Sequence, residues 1–385
     1  MSSSTCPRIA VVGAGLGGLA CARGLQLHDR AVTVFEQEIS PTARTQGGTL
    51  DLHADTGQVA LRATGLFEMF QTLARPEGQE LRALDPRTAE ILHHQQPAED
   101  YAPEIDRGQL RGLFLESLTP GTIRWGKAVE SVDGTTLRFR DGSTEQFDLI
   151  IGADGAWSRI RSALSPAVPT HTGTTLVETF LDDADTRHPA LARLVGNGTT
   201  IAKSGRTMLS AQRNSGGHIR VYAGLEIPHD WYTTAGLDLD DTAAVREHLL
   251  TLFDGWHDSL LDLLRCGDGG FVNRPLFVLP VGHSWDHVPG RTLLGDAAHL
   301  MPPFGIGANL AMLDGVDLAA AIAAHPTLDD AVRAYESVML PRSTAAAQAC
   351  VELDKSIATG EPIDVDAVRK QLNERLLQAS ADRPG

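Results

Sequence analysis

Ile9-Ala10-Val11-Val12-Gly13-Ala14-Gly15-Leu16-Gly17-Gly18 decides the fold. Arg8 to Val12 is a short apolar run leading into glycines, the pattern of a buried parallel strand. Leu16 to Leu27 carries a helical pattern, and Ala31 to Phe35 is a second β-branched run ending at Glu36. The glycines form a G-x-G-x-x-G between strand and helix. Gly13 permits the tight turn, Gly15 lets backbone approach a pyrophosphate, and Gly18 lets the helix pack closely on the strand. The helix N-terminus offers free N–H groups to the phosphates. Glu36, at the end of the second strand, is placed to accept from an adenosine ribose and would repel a 2′-phosphate. The site therefore suits FAD or NAD better than NADP, with the choice between those two open.

Outward from this unit, composition narrows the function classes. The 385 residues compose like a folded protein, at 42% apolar and 21% charged. The formal charge of −16 disfavours nucleic acid and anionic membrane surfaces as partners. Cys6, Cys21, Cys266 and Cys350 have no paired spacing, so neither a disulfide framework nor a zinc cluster is expected, and a reducing cytoplasm fits best. Ile9 to Ala22 mimics a short secretory signal with Ala20-Cys21-Ala22 as its cleavage site, but its glycines argue against an apolar signal helix. Ala308 to Ala324, the most apolar later stretch, is interrupted by Asp314 and Asp317, and no membrane span is expected.

Two further motifs follow strands. Gly152-Ala153-Asp154-Gly155-Ala156-Trp157-Ser158-Arg159-Ile160-Arg161 succeeds the apolar run 147–151. By itself it reads as a turn, with Ser158 a helix N-cap and Arg161 a surface charge. Gly295-Asp296-Ala297-Ala298-His299-Leu300-Met301-Pro302-Pro303-Phe304-Gly305-Ile306-Gly307-Ala308-Asn309 ends a strand at Asp296, where a carboxylate can bind a polyol hydroxyl. Its prolines force an extended turn before a helix over 308–324. Residues 56–75 look helical, 79–97 reads as short strands and turns, and 109–118 as a helix. Strand-like runs between 174 and 227 suggest an antiparallel sheet, followed by helices at 241–253 and 258–265. From Leu328 the tail is helical with a break at Pro341, and His93-His94 reads as an exposed turn.

The three motifs together resemble the class A flavoprotein monooxygenases, the p-hydroxybenzoate hydroxylase-like FAD fold. Within that family the likeness is greatest to the TetX-type tetracycline-inactivating monooxygenases. It is carried by Gly47-Gly48-Thr49-Leu50-Asp51-Leu52-His53, by Glu104-Ile105-Asp106-Arg107-Gly108-Gln109-Leu110-Arg111 and by Gly295 to Phe304. The resemblance implies an α/β fold: a Rossmann-like FAD-binding domain (1–78, 123–173 and 274–325), an inserted antiparallel β-sheet substrate domain (79–122 and 174–273), and a C-terminal helical segment (326–385). It implies non-covalent FAD, NADPH or NADH as co-substrate, O₂, and a hydrophobic, polycyclic or polyketide-like substrate oxygenated through a flavin C4a-hydroperoxide. Monomer or weak homo-oligomer is the expected state.

Carried over residue by residue, Gly13, Gly15, Gly18, Glu36, Asp51, Arg107, Asp154, Asp296, Pro303, Gly307 and Asn309 resemble cofactor-binding positions, and Arg44 resembles the nicotinamide-contacting arginine. No side chain need act as acid or base, and His299 is the one weak catalytic candidate. The third motif departs from the family's usual A-G-Q-G-x-N or A-G-E-G-x-N by being one residue shorter, with Ile306 at a usually polar position. The stretch 174–227 matches no tetracycline-recognition pattern. A halogenase or reductase of the same fold, or a flavin-bearing sequestering protein, are the alternatives; no W-x-W signature of tryptophan-type halogenases is present.

Overall fold

The computed structural model describes residues 7–44, 47–96 and 102–359, with side chains to 353. Its first layer is a parallel sheet in which Ile9–Val12 lies at the centre, between Val32–Phe35 and Leu149–Gly152. Arg291–Leu293 and Ile123–Arg124 complete the two edges. The central strand is buried along its whole length, as a β-strand covered on both faces must be. Helix Leu16–Leu27 packs against it and against helix Gly307–Ala324. That second helix is long and apolar enough to cross a membrane, yet most of it is buried in this core.

A seven-stranded sheet forms the other layer, in the order Val272–Val278, Thr170–Leu181, Ile219–Leu225, Thr207–Arg213, Thr199–Ser204, Leu81–Leu84, Ile91–Gln95. It is antiparallel except where Thr199–Ser204 runs parallel to Leu81–Leu84. One face carries Val177, Leu209, Ala211, Val221 and Ala223 into a second core with the helices Pro189–Val195, Thr242–Leu252 and Asp258–Arg265. The opposite face looks toward the first layer through the ribbon Thr49–Asp51 and Glu104–Asp106. Residues 102–118, expected with the inserted sheet, place Ile105, Leu110, Leu113 and Phe114 in the first core instead.

Several local expectations need correction. The stretch 56–75 is two helices, Gly57–Ala63 and Phe67–Leu73, parted at Gly65 with φ +72°. The tail does not break at Pro341: helix Leu328–Thr359 runs through it. A proline forfeits one bond to the preceding turn, and here the next residue, Arg342, is pinned by its pairing with Asp314 at 2.9 Å and Asp317 at 2.7 Å. His93-His94 lies in strand Ile91–Gln95, with His94 Nε2 2.7 Å from Glu80. Arg161 is buried rather than a surface charge. The part of the C-terminal segment beyond 359 lies outside the described residues.

Candidate active site

The first motif folds as its glycines require. Gly13 has φ +108°, and a Cβ there would overlap the Ala153 carbonyl, while a Cβ on Gly18 would overlap the Gly13 carbonyl. Two strand ends are thereby drawn together. Gly15 has nothing within 4 Å of its Cβ position, so the backbone before helix Leu16–Leu27 faces open space. No side chain caps that helix. Its free N–H groups and positive dipole end are available to a diphosphate. Glu36 is buried and accepts from the Ala14 N–H at 2.7 Å and the Glu38 N–H at 2.9 Å. Each carboxylate oxygen has capacity for one further donor, as a ribose hydroxyl supplies.

Arg111, part of the Glu104 to Arg111 stretch but given no role from sequence, holds this loop. It is buried and donates to the Ala14 carbonyl at 3.1 Å, the Pro41 carbonyl at 2.9 Å and Glu38 at 3.3 Å. The available signal was its spacing: four residues beyond Arg107 on one helix, it shares that residue's face. Arg107 itself is half-buried. Its guanidinium has no hydrogen bond or ion pair among the described residues. Burial lowers its pKa, opposed by the charge of Asp296 and reinforced by Arg44 and Arg111. A buried cation without a partner calls for an anionic or acceptor-rich ligand. Arg44 is two-thirds exposed and is engaged by Glu38 at 2.7 Å.

The third motif supplies the floor. Asp296 is exposed while Gly295, Ala297, Ala298 and His299 around it are buried. Gly307 starts the next helix with its Cβ position 3.9 Å from the Asp296 carboxylate. Asn309 is buried and clamps the neighbouring ribbon: Oδ1 accepts from the His53 N–H at 3.0 Å, and Nδ2 donates to the Asp51 and Gly305 carbonyls at 2.8 and 2.9 Å. Asp51 lies against Gly305 and 3.1 Å from His53 Nε2. Pro303 is exposed in the turn. Ile306 is buried with Met301, Leu310, Ala346 and Cys350, which explains an apolar residue at this position.

His299 and Asp154 serve different geometry. His299 Nε2 is 2.5 Å from Asp314, which also accepts from the Gly295 N–H at 3.0 Å and pairs with Arg342. Burial opposes a charge on His299, but the charge and hydrogen bond of Asp314 together with the charge of Asp296 outweigh it, and the pKa is raised. This buried triad ties the third motif to both long helices. Asp154 accepts from the Ser158 hydroxyl at 2.5 Å and the Arg159 N–H at 2.6 Å, and burial raises its pKa. Arg161 donates to the Ala297 carbonyl at 3.1 Å, joining the second motif to the third.

Across from the Gly47-Gly48 turn stands the outer face of the large sheet. A Cβ on Gly47 would meet the Arg220 guanidinium, and one on Gly48 would come 3.3 Å from the Tyr222 hydroxyl. The Thr49 N–H donates to Gln212 at 3.3 Å. Arg107, which feels the charges of Asp296, Arg44 and Arg111 and interacts electrostatically with Tyr222, therefore stands between the third motif and this wall.

Known proteins share this chain's sequence family and fold. A family described as an NAD(P)-binding Rossmann-like domain matches residues 11–72, and one described as an FAD binding domain matches 288–350. Monooxygenase asqM of Emericella nidulans is 32% identical over 81% of this chain and 83% of its own length. The chain belongs to the FAD-dependent class A flavoprotein monooxygenases. A 3-amino-4-hydroxybenzoate 2-monooxygenase of Streptomyces platensis is 31% identical over 87% of this chain and 85% of its own. Among solved structures, Klebsiella pneumoniae HpxO with FAD and uric acid covers 98% of this chain and 96% of its own, at TM-score 0.77 and 22% identity. Tetracycline destructase Tet(51) covers 98% and 97%, at TM-score 0.71 and 19% identity. Both likenesses are of fold. FAD is the cofactor of this monooxygenase, and the partnerless Arg107, the open Gly15 turn and the exposed Asp296 carboxylate form a donor and acceptor set that fits it.

Proposed function

We propose that this monooxygenase inserts one oxygen atom of O₂ into a hydrophobic, ring-bearing small molecule in the cytoplasm, with NAD(P)H as reductant. Bound FAD supplies hydride acceptance and dioxygen activation. The chain's own residues bind and orient. Backbone N–H groups from Gly15 onward and Arg107 hold the diphosphate side, Glu36 the adenosine ribose, and Asp296 the ribityl chain. Asn309 fixes the Asp51–His53 ribbon against the start of helix Gly307–Ala324, and Arg44 meets the nicotinamide cofactor's phosphates. Asp154 and Pro303 shape the two turns that border the cofactor.

The observation that carries this reading is the wall opposite the Gly47-Gly48 turn. It has an apolar end at Leu176 and Met208, which crowd the Cβ position of Gly224 at 3.3 and 3.0 Å, and a polar end at Arg220, Tyr222 and Gln212. Such a surface seats a ring system and excludes water from its apolar side. The Streptomyces platensis relative is named for a hydroxybenzoate, and a Pseudomonas fluorescens relative for 6-hydroxynicotinate, both oxygen-bearing rings. The test is a turnover under ¹⁸O₂ with NADPH or NADH and a panel of aromatic and polyketide-like compounds. One labelled oxygen in a product supports the reading. NAD(P)H consumption with all label in peroxide across the panel counts against it.

A further inference from the structure

His299 is the one member of the third motif whose side chain the cofactor reading leaves without a task. Geometry fixes the hydrogen on its Nε2. Asp314 is buried and accepts from the Gly295 N–H at 3.0 Å and from Arg342 at 2.9 Å, so it is ionised. His299 Nε2 donates to the same carboxylate at 2.5 Å. The other ring nitrogen is not so served. Its own carbonyl acts on the ring, yet Nδ1 is buried with no hydrogen-bond partner among the described residues. Bare or protonated, a buried ring nitrogen needs a donor or an acceptor.

The ring lines a small cavity between the loop 279–283, the third motif and helix Leu328–Thr359. Its volume is about 10 Å³, room for the centre of a single water. His283 shares the wall but has no capacity left for His299. Its Nδ1 donates to the Ala298 carbonyl at 2.6 Å, which leaves Nε2 to accept from the Ser165 hydroxyl at 3.0 Å. Burial lowers its pKa, in keeping with a neutral ring. Thr344 turns its methyl toward Gly282. Ser343 is different: it is buried on the same wall, and its hydroxyl donates to the Leu340 carbonyl at 3.0 Å, so its oxygen still accepts.

We propose that this cavity is a hydration site of the folded protein, in which one water accepts from His299 Nδ1 and donates to the Ser343 hydroxyl oxygen. The bonds then close a ring, from Arg342 to Asp314, to His299, to the water, and back to Ser343 beside Arg342. The ring begins and ends on helix Leu328–Thr359 and takes in the Gly295 N–H, so it clamps the turn that presents Asp296. The raised pKa of His299 fits a ring that donates at both nitrogens. His299 is thus a positioning residue for Asp296, a consequence that rests on the assignment of Asp296 to the flavin.

The test begins with a crystal structure of the full, FAD-loaded chain. A water within about 3.2 Å of both His299 Nδ1 and Ser343 Oγ is the expected result. Ordered density with no water there, or with a protein atom bonded to Nδ1, overturns the proposal. Two variants test the clamp: Ser343→Ala removes one partner of the water, and Ala347→Val fills the cavity. Each should weaken FAD binding at least about threefold in a fluorescence titration. Melting temperature is the fold control, and Ser343→Ala decides alone if Ala347→Val does not fold. In an Asp296→Ala background Ser343→Ala should add no further loss, because both act through one contact. Parental FAD affinity in Ser343→Ala, or full additivity with Asp296→Ala, overturns the positioning role. If Asp296→Ala alone leaves FAD binding unchanged, the assignment of Asp296 fails instead, and the water stands or falls on the density.

Discussion

Asp296 keeps an exposed carboxylate on a floor of buried residues, and nothing in its own motif occupies it. Asp296→Ala should weaken FAD binding by about 1.5–3 kcal/mol, roughly ten- to a hundredfold, because a polyol hydroxyl loses a charge-assisted partner. Flavin occupancy at limiting FAD measures this, and unchanged occupancy would remove Asp296 from the site. Arg44 is legible only through the family resemblance, and its ion pair with Glu38 at 2.7 Å was not. Arg44→Ala should raise the KM for NADPH while FAD stays bound, since a phosphate-pairing arginine is lost. Normal NADPH kinetics, or loss of flavin, would assign Arg44 elsewhere. Arg111 escaped the sequence for a physical reason: it acts through partners far along the chain, such as Ala14 and Pro41, that only the fold brings near.

At the scale of elements, local chemistry was most legible where backbone geometry leaves a single residue type. Gly13 is such a place, with φ +108° and the Ala153 carbonyl against it. Gly13→Ala should cost about 1–3 kcal/mol in backbone strain alone. A lowered melting temperature with lost flavin is expected, and a parental melting temperature with full flavin would contradict the turn. The βαβ unit and the helix after the third motif were readable from periodicity because their buried faces are continuous. Pro341 misled because a helix interior tolerates a proline when the next turn is tied down, here by Arg342 to Asp314 and Asp317. Arg161 misled similarly, since three carbonyl oxygens, of Ala156, Ala167 and Ala297, take it out of solvent.

At the scale of the whole molecule, the described residues pack into two large cores and a smaller cluster around Ile306, with ion networks beside the first core. His287 sits between Asp329 at 2.7 Å and Glu336 at 2.9 Å, and Glu336 also accepts from Trp285 and Thr292. Burial opposes its charge, but the two carboxylates prevail and the His287 pKa is raised. A raised folded pKa means that this contribution is complete below the unfolded value near 6.5 and fades as pH rises through the folded one. The gap in melting temperature between the parent and His287→Asn should therefore be larger at about pH 6 than at about pH 9. A gap independent of pH would show that His287 contributes through packing alone.

The claim on which the rest depends is that the candidate site holds FAD by non-covalent contacts alone. Among the described residues, no cysteine or histidine belongs to a recognisable flavin-attachment motif, and the contacts that fit the cofactor are hydrogen bonds and charge. The measurement is the flavin released by acid precipitation of the purified, FAD-reconstituted chain, identified and counted against protein. One FAD per chain, all of it in the supernatant, is the predicted result. A colourless protein, or flavin that stays in the pellet, would contradict the account.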